Sequence, residues 1–390
     1  MKLSVPFNMD QELLEGLKAF SNIDNIYASE DSSVIGNARP TCLLPKADIK
    51  YISFINKMAE KNGFTFNYII NAPCFENMEY NRDFIKSAYK HIKDLAALGI
   101  KSMTLSNPYL IDFIKKNIPE IKIKVSVISG INDVSKAKIY ENSGADTLVL
   151  DLNINRDFRI LSEIRKQVKC DLELLVNEPC MYRCPYKVFH YNLMGHASQT
   201  NSRSKGFFFD YYYACCSSLK YIKPVEFIKS RWIRPEDTDR YSDLGITRFK
   251  IAGRMLPSDV ILKMVSAYSQ KSYEGNLLDI ISFMETTRKV KLSKRRNIFG
   301  YISKLNLPQL KYFLKWQFLA LKINEHFFID NKKLDNFIDH FIADRCKNNC
   351  NDCSYCQKWL KRAVIKHDEV FIKRYLDCVE KVKDSFLKNY

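Results

Sequence analysis

Eight short runs rich in aliphatic and β-branched residues recur about every 25 residues through most of the first two thirds of the chain, with amphipathic helical stretches between most of them. The strand candidates are Lys2–Phe7, Ile23–Ala28, Phe64–Asn71, Ser102–Asn107, Ile121–Ser129, Thr147–Asn153, Leu172–Asn177 and Arg248–Ala252. The helical stretches are Met9–Phe20, Ala47–Asn62, Asn81–Leu98, Tyr109–Asn117, Asp133–Ser143 and Asp157–Gln167. A strand that recurs after each helix is joined to the last by a parallel crossover, so eight such units predict an α/β fold, a closed TIM-like (β/α)8 barrel over residues 1–270. From residue 271 to 390 the alternation stops, and stretches rich in Phe, Leu and Lys predict a helical C-terminal domain. The basic run Arg288–Arg296 reads as a linker.

In such a barrel, chemistry sits at the carboxyl ends of the strands. Polar residues recur there: Asn71, Ser106 and Asn107, Asp151 and Asn153, Asn177 and Glu178, and Arg254. Each is compatible with simple loop punctuation, because Asn, Asp and the nearby Pro73, Pro108 and Pro179 favour turns, but their repetition on one face predicts a pocket. One connection is far too long for a compact crossover. Residues 178–247 separate the seventh strand from the eighth, and loops of that length are usually functional.

Eight of the twelve cysteines fall into two groups. The first comprises Cys180, Cys184, Cys215 and Cys216 and lies in the long insertion. Cys180 and Cys184 are one helical turn apart, if that turn is helical, and can face one cofactor. Cys215 and Cys216 are adjacent, which seldom allows both to ligate one small site; Cys42 and Cys74, in loops after early strands, are alternative fourth ligands. The second group is Cys346, Cys350, Cys353 and Cys356, spaced C-x3-C-x2-C-x2-C. Four thiolates this close suit a [4Fe–4S] cluster, with zinc as the alternative. The first three also match the C-x3-C-x2-C of radical S-adenosylmethionine enzymes, but that motif normally follows the first barrel strand and here it follows the eighth. Buried free thiols are the plain alternative for the first group.

The net charge of +17 favours polyanions such as RNA, or small anionic substrates, although lysine-rich solvated helices produce the same balance. No apolar leader and no 18-residue uncharged apolar run is evident, so a cytoplasmic protein without a membrane span is expected. In a reducing compartment, closely spaced cysteines are metal ligands more often than disulfides. His190 and His196 follow Cys184 closely and are candidate ligands or acid–base groups. No P-loop, dinucleotide-binding glycine pattern, nucleophile elbow or H-E-x-x-H is present.

The segments Leu174–His190, Tyr211–Cys216, Ile228–Asp237 and Arg248–Arg254 together resemble the peptidase U32 family, and Ser106–Leu110 is similar to its mid-barrel loop. The resemblance covers roughly residues 1–270. It implies two activities, since the family is named for collagenase-like proteases while several members are implicated in oxygen-independent hydroxylation of ubiquinone precursors, transfer RNA or ribosomal RNA. Those members carry a [4Fe–4S] cluster on four barrel cysteines. Carried over, the resemblance places a cluster on Cys180, Cys184 and one or both of Cys215 and Cys216; the C-terminal group rests on spacing alone. It also implies that pairing with a related subunit is a third role.

A hydrolase needs an activated nucleophile or a water-activating metal with an open position, and no linear motif for either is visible. Thiolate-ligated clusters suit redox chemistry. The sequence therefore predicts an iron–sulfur redox enzyme, a hydroxylase or related oxidoreductase, ahead of a hydrolase and of a non-catalytic partner. The expected catalytic residues are Asn177, Glu178 and Arg254, with Glu178 moving a proton and Arg254 holding an anionic group.

Overall fold

The structure is a computed structural model that describes residues 1–206, 209–281, 306–350 and 352–388. The basic run Arg288–Arg296 lies outside the described residues. Eight parallel strands close into a barrel in chain order: β1 (Lys2–Pro6), β2 (Ile23–Ala28), β3 (Thr65–Ile69), β4 (Ser102–Leu105), β5 (Lys122–Val125), β6 (Thr147–Val149), β7 (Asp171–Leu175) and β8 (Arg248–Lys250). Closure is made by β8 against β1, with Leu3 opposite Phe249 and Ser4 opposite Lys250. The sheet thus has no open edge, and the predicted (β/α)8 barrel is observed.

Helices α1 (Gln11–Leu17), α2 (Ile49–Lys61), α3 (Arg82–Ala97), α4 (Pro108–Asn117), α5 (Val134–Asn142) and α6 (Phe158–Gln167) follow the first six strands. Each starts from an Asp or Asn side chain that accepts a backbone N–H of its first turn: Asp10, Asp48, Asn81, Asn107, Asp133 and Asp157. Of these caps only Asp10 and Asn107 follow closely on a strand end; the others begin their helices after longer loops. Apolar spacing then fixes the buried side, as in α3, where Phe84, Ala88, Ile92 and Leu95 form one stripe.

The barrel interior contains a layer of polar side chains. Ser4, Asn67, Lys124 and Glu173 come from the odd-numbered strands, as expected for residues that share one layer. Lys124 donates to Glu173 at 2.8 Å, Ser4 donates to the same carboxylate, and Asn25 donates to Ser4 at 2.7 Å. Lys250 lies 4.1 Å from the centre of the Tyr27 ring. Burial brings its ammonium down to about 7, opposed by the negative charge of Glu173.

The long connection supplies α7 (Lys187–His196) and α8 (Tyr211–Ile222) and lies over the carboxyl face. Thr41 N–H donates to Ala197 O, and Ser198 Oγ donates to Asn37 O, which fastens this cover to the loop after β2. Beyond β8, helices Ser258–Gln270, Leu307–Ala320, Tyr355–Ala363 and Glu369–Leu387 dominate. The C-terminal region also contains a short antiparallel pair, Phe327–Ile329 with Val364–His367, that the sequence did not suggest. Its strands are too short for visible alternation, and Ile365, Lys366 and His367 are exposed. One buried apolar cluster runs from Leu3 in the barrel to Val382 in the last described helix.

Candidate functional site at the barrel's carboxyl face

Most of the polar strand-end residues organise loops. Asn71 accepts from Ala38 N–H at 3.0 Å and donates to Ser126 at 3.0 Å. Asn107 caps α4, Asp151 accepts from Asn153 N–H at 2.8 Å, and Asn153 accepts from Arg183 N–H at 2.9 Å. Asn177 is fully buried; its amide donates to Ala252 O at 3.1 Å and accepts from Ala252 N–H at 2.8 Å. It therefore ties the end of β7 to the end of β8. The guanidinium of Arg254 donates to Ser29 and, at 3.2 Å, to Asn37, and among the described residues it has no carboxylate partner.

Glu178, one residue beyond Asn177, stands at the junction of two cavities. One is mainly aromatic and apolar, with Phe209, Tyr213 and Trp316 in its wall and Arg39, Glu178 and Asp210 as charged groups. The other is lined by Cys180, Cys184 and Cys216, together with Tyr186, Lys187 and Lys220. His190 and Tyr213 line both. Cys215 does not line the thiol cavity: neighbours on a helix point about 100° apart, and its thiol faces Tyr211 and Lys383. Cys42 and Cys74 are not among the lining residues of the thiol cavity. His190 Nδ1 is 2.8 Å from Asp210 Oδ2, while the other Asp210 oxygen caps α8. His196 faces Glu76 at 3.1 Å and Gln199 at 3.1 Å, apart from this pair.

Burial controls the electrostatics. It raises the Glu178 carboxyl above the ordinary range, against the opposing charges of Arg39, His190, Lys220 and Lys187. It also pushes the thiols of Cys180, Cys184 and Cys216 up, the last to about 12. Lys220 is buried and donates only to Pro179 O at 3.3 Å among the described residues, so its positive charge faces the thiols. Such a donor set, three thiols beside a buried ammonium, matches the softness and negative charge of a metal–thiolate group.

Sequence reasoning missed Lys220, Arg39 and the interior pair Lys124 and Glu173. Lys220 had a signal: it lies four residues after Cys216, on the same helical face. Lys124 and Glu173 each interrupt aliphatic strands at an inward position, which in a barrel marks an interior charge. Arg39 sits in an irregular loop and had no local signal.

The second cysteine group starts in the loop after helix Asp339–Ile342 and ends in the first turn of Tyr355–Ala363. Cys356 is close enough to Cys350 and Cys346 to feel their charge, whereas Cys353 is exposed. No disulfide joins any cysteine of either group. Among the described residues, no three His, Cys, Asp or Glu side chains are already gathered round one point as metal ligands.

The profile of peptidase family U32 matches residues 52–275, more than half of the chain. The chain belongs to that family. A Methanocaldococcus jannaschii protein named uncharacterized protease MJ1657 is 29% identical over 332 residues, covering 85% of this chain and 86% of the relative. Among solved structures, that of the U32 peptidase Mk0906 is 20% identical, covers 64% of this chain and 91% of its own, and has a TM-score of 0.49. An O-GlcNAc hydrolase mutant of Thermobaculum terrenum is 11% identical with a TM-score of 0.37, covering 97% of this chain and 93% of its own. Among the described residues, no helix is long and apolar enough to cross a membrane.

Proposed function

We propose that the carboxyl face is an iron–sulfur redox site carrying out an oxygen-independent hydroxylation or related modification of an RNA or small anionic substrate. The observation that supports this reading is the convergence of Cys180, Cys184 and Cys216 on one cavity that shares Glu178 with its aromatic neighbour. Cys180, Cys184 and Cys216 would hold the group, which when bound supplies one-electron chemistry. The remaining roles belong to the chain itself. Lys220 offsets the negative charge of the thiolates, and Arg39 binds an anionic part of the substrate. The walls formed by Phe209 and Trp316 exclude water and stack on a planar substrate. Glu178, whose burial favours the neutral carboxyl, gives or takes a proton between the two cavities.

A second reading, peptidase, is favoured by the His190–Asp210 pair, 2.8 Å apart in the wall of the aromatic cavity, a proximity able to orient an imidazole as a general base. The protease name of the M. jannaschii relative points the same way. One experiment separates the two. RNA nucleosides and small metabolites from wild-type and deletion cells grown without oxygen are compared by mass spectrometry, and anaerobically purified protein is assayed on a peptide library. Loss of a species heavier by about 16 Da, restored by the intact gene and not by Cys180→Ala, supports the redox reading. Peptide cleavage that survives Cys180→Ala and is lost in His190→Ala establishes the peptidase instead.

A further inference from the structure

Two guanidinium groups lie buried against the C-terminal cysteines without a carboxylate. Arg156 is 2% exposed and Arg231 is 6% exposed. Arg156 donates to the backbone carbonyls of Ile228 at 2.8 Å and Trp232 at 2.9 Å, and stacks 4.0 Å from the Trp232 ring. Arg231 donates to the Asn348 side chain at 3.0 Å and stacks 4.1 Å from the Tyr182 ring, while its Nε has no partner. Among the described residues, neither is within ion-pair distance of an Asp or Glu. The contrast is Arg234, also 2% exposed, which meets both oxygens of Asp237 and one of Asp335 at 2.9–3.1 Å. Buried charge without a counter-charge is expensive, so two such cations side by side call for an anion.

The acidic groups near Arg156 are the Cys356 thiol, the Tyr241 hydroxyl and, beyond ion-pair distance, the Asp237 carboxylate that Arg234 already engages with both oxygens. Arg156 and Arg231 both act on Cys356, and the Lys229 ammonium lies close enough to feel Cys350 and Cys356. Asn348 joins this cationic layer to the cysteine loop: it accepts from Arg231 and, at 3.6 Å, from Cys346 Sγ. Its left-handed φ of 59° turns the chain sharply between Cys346 and Cys350. Cys353 precedes and Cys356 lies in the first turn of helix Tyr355–Ala363, whose N-terminal dipole also favours negative charge.

We propose that Cys346, Cys350, Cys353 and Cys356 bind a tetrathiolate metal centre whose negative charge is neutralised by Arg156 and Arg231. Zinc on four thiolates and a [4Fe–4S]2+ cluster on four thiolates both carry a net charge of about −2, which the guanidinium pair balances. Binding displaces four thiol protons to solvent. The centre is separate from the barrel cavity and pins the cysteine loop to the insertion through Arg231.

The test measures iron, labile sulfide and zinc on full-length protein purified without oxygen, on Cys180→Ala/Cys184→Ala and on Cys350→Ala/Cys353→Ala. The Cys180/Cys184 variant is expected to retain one complete centre and the Cys350/Cys353 variant to lose it. Zinc without sulfide identifies the mononuclear form; iron with equal sulfide identifies the cluster. Unchanged metal content in the Cys350/Cys353 variant, or a well-folded Cys180/Cys184 variant devoid of metal, overturns the proposal. Should the Cys350/Cys353 variant not fold, alkylation of the wild-type protein decides. Cys353, although exposed, is expected to label at least about 10-fold faster after metal extraction than before, because a bound thiolate is masked. Equal labelling before and after refutes the site.

Discussion

Replacing Lys124 with Met leaves the fully buried Glu173 carboxylate without its closest cation, the ammonium 2.8 Å away inside the barrel. Removing one member of a buried ion pair costs about 3–5 kcal/mol. Two features place this site at the low end. Ser4 still donates to Glu173, and the Lys250 charge still acts on it, so a loss of about 3 kcal/mol is expected. In Lys124→Met/Glu173→Met both charges are gone and similar volume is kept, leaving chiefly the Ser4 hydroxyl without its acceptor. An orphaned buried hydroxyl costs about 1–3 kcal/mol, so the double variant recovers part of the single variant's loss. Urea unfolding followed by circular dichroism measures all three proteins. A loss below about 1 kcal/mol for Lys124→Met, or a double variant less stable than the sum of the two singles, refutes a coupled interior charge layer.

Lys250 titrates at about 7 in the folded chain and at 10.5 when unfolded, so between those values the unfolded chain binds the extra proton and stability rises with pH. Lys250→Met should flatten that rise, read as urea midpoints across the window. Asn177→Ala removes both side-chain partners of the Ala252 backbone and should cost about 2–4 kcal/mol, whereas Asn177→Asp should rescue only the N–H half of the bond. Arg231→Gln should weaken metal retention at the C-terminal cysteines about 10–100-fold in a chelator competition, with far-ultraviolet circular dichroism unchanged.

The barrel was legible because its signal is periodic. Each expected strand and helix of the first two thirds appears, and the errors are concentrated at strand carboxyl ends. Ile121–Ser129 was expected as a strand, but β5 stops at Val125, because the Ser126 hydroxyl accepts a backbone N–H and turns the chain into a short helix. Asp151 ends β6 in the same way. Aliphatic composition continues past both points, so the cap wins over β propensity there. The thiol cavity was half legible. Cys180 and Cys184 announce themselves by spacing, while the choice of Cys216 over Cys215 depends on helical phase around Tyr211–Ile222. Arg39 and Trp316 reach their cavity from loops and helices far apart in the chain, a convergence that no local pattern encodes.

The aromatic cavity is walled in part by Phe313, Trp316 and Gln317, all on helix Leu307–Ala320. That helix lies beyond residue 275, where the match to the family profile ends. Glu178, Arg39 and the thiols belong to the barrel and its insertion, but the surface a substrate would rest against is borrowed from the tail. On the proposed reading, part of the substrate-facing wall is thereby carried by a different stretch of chain from the thiols and Glu178. A relative could keep the same chemistry and change its clientele by altering only a few side chains on one C-terminal helix.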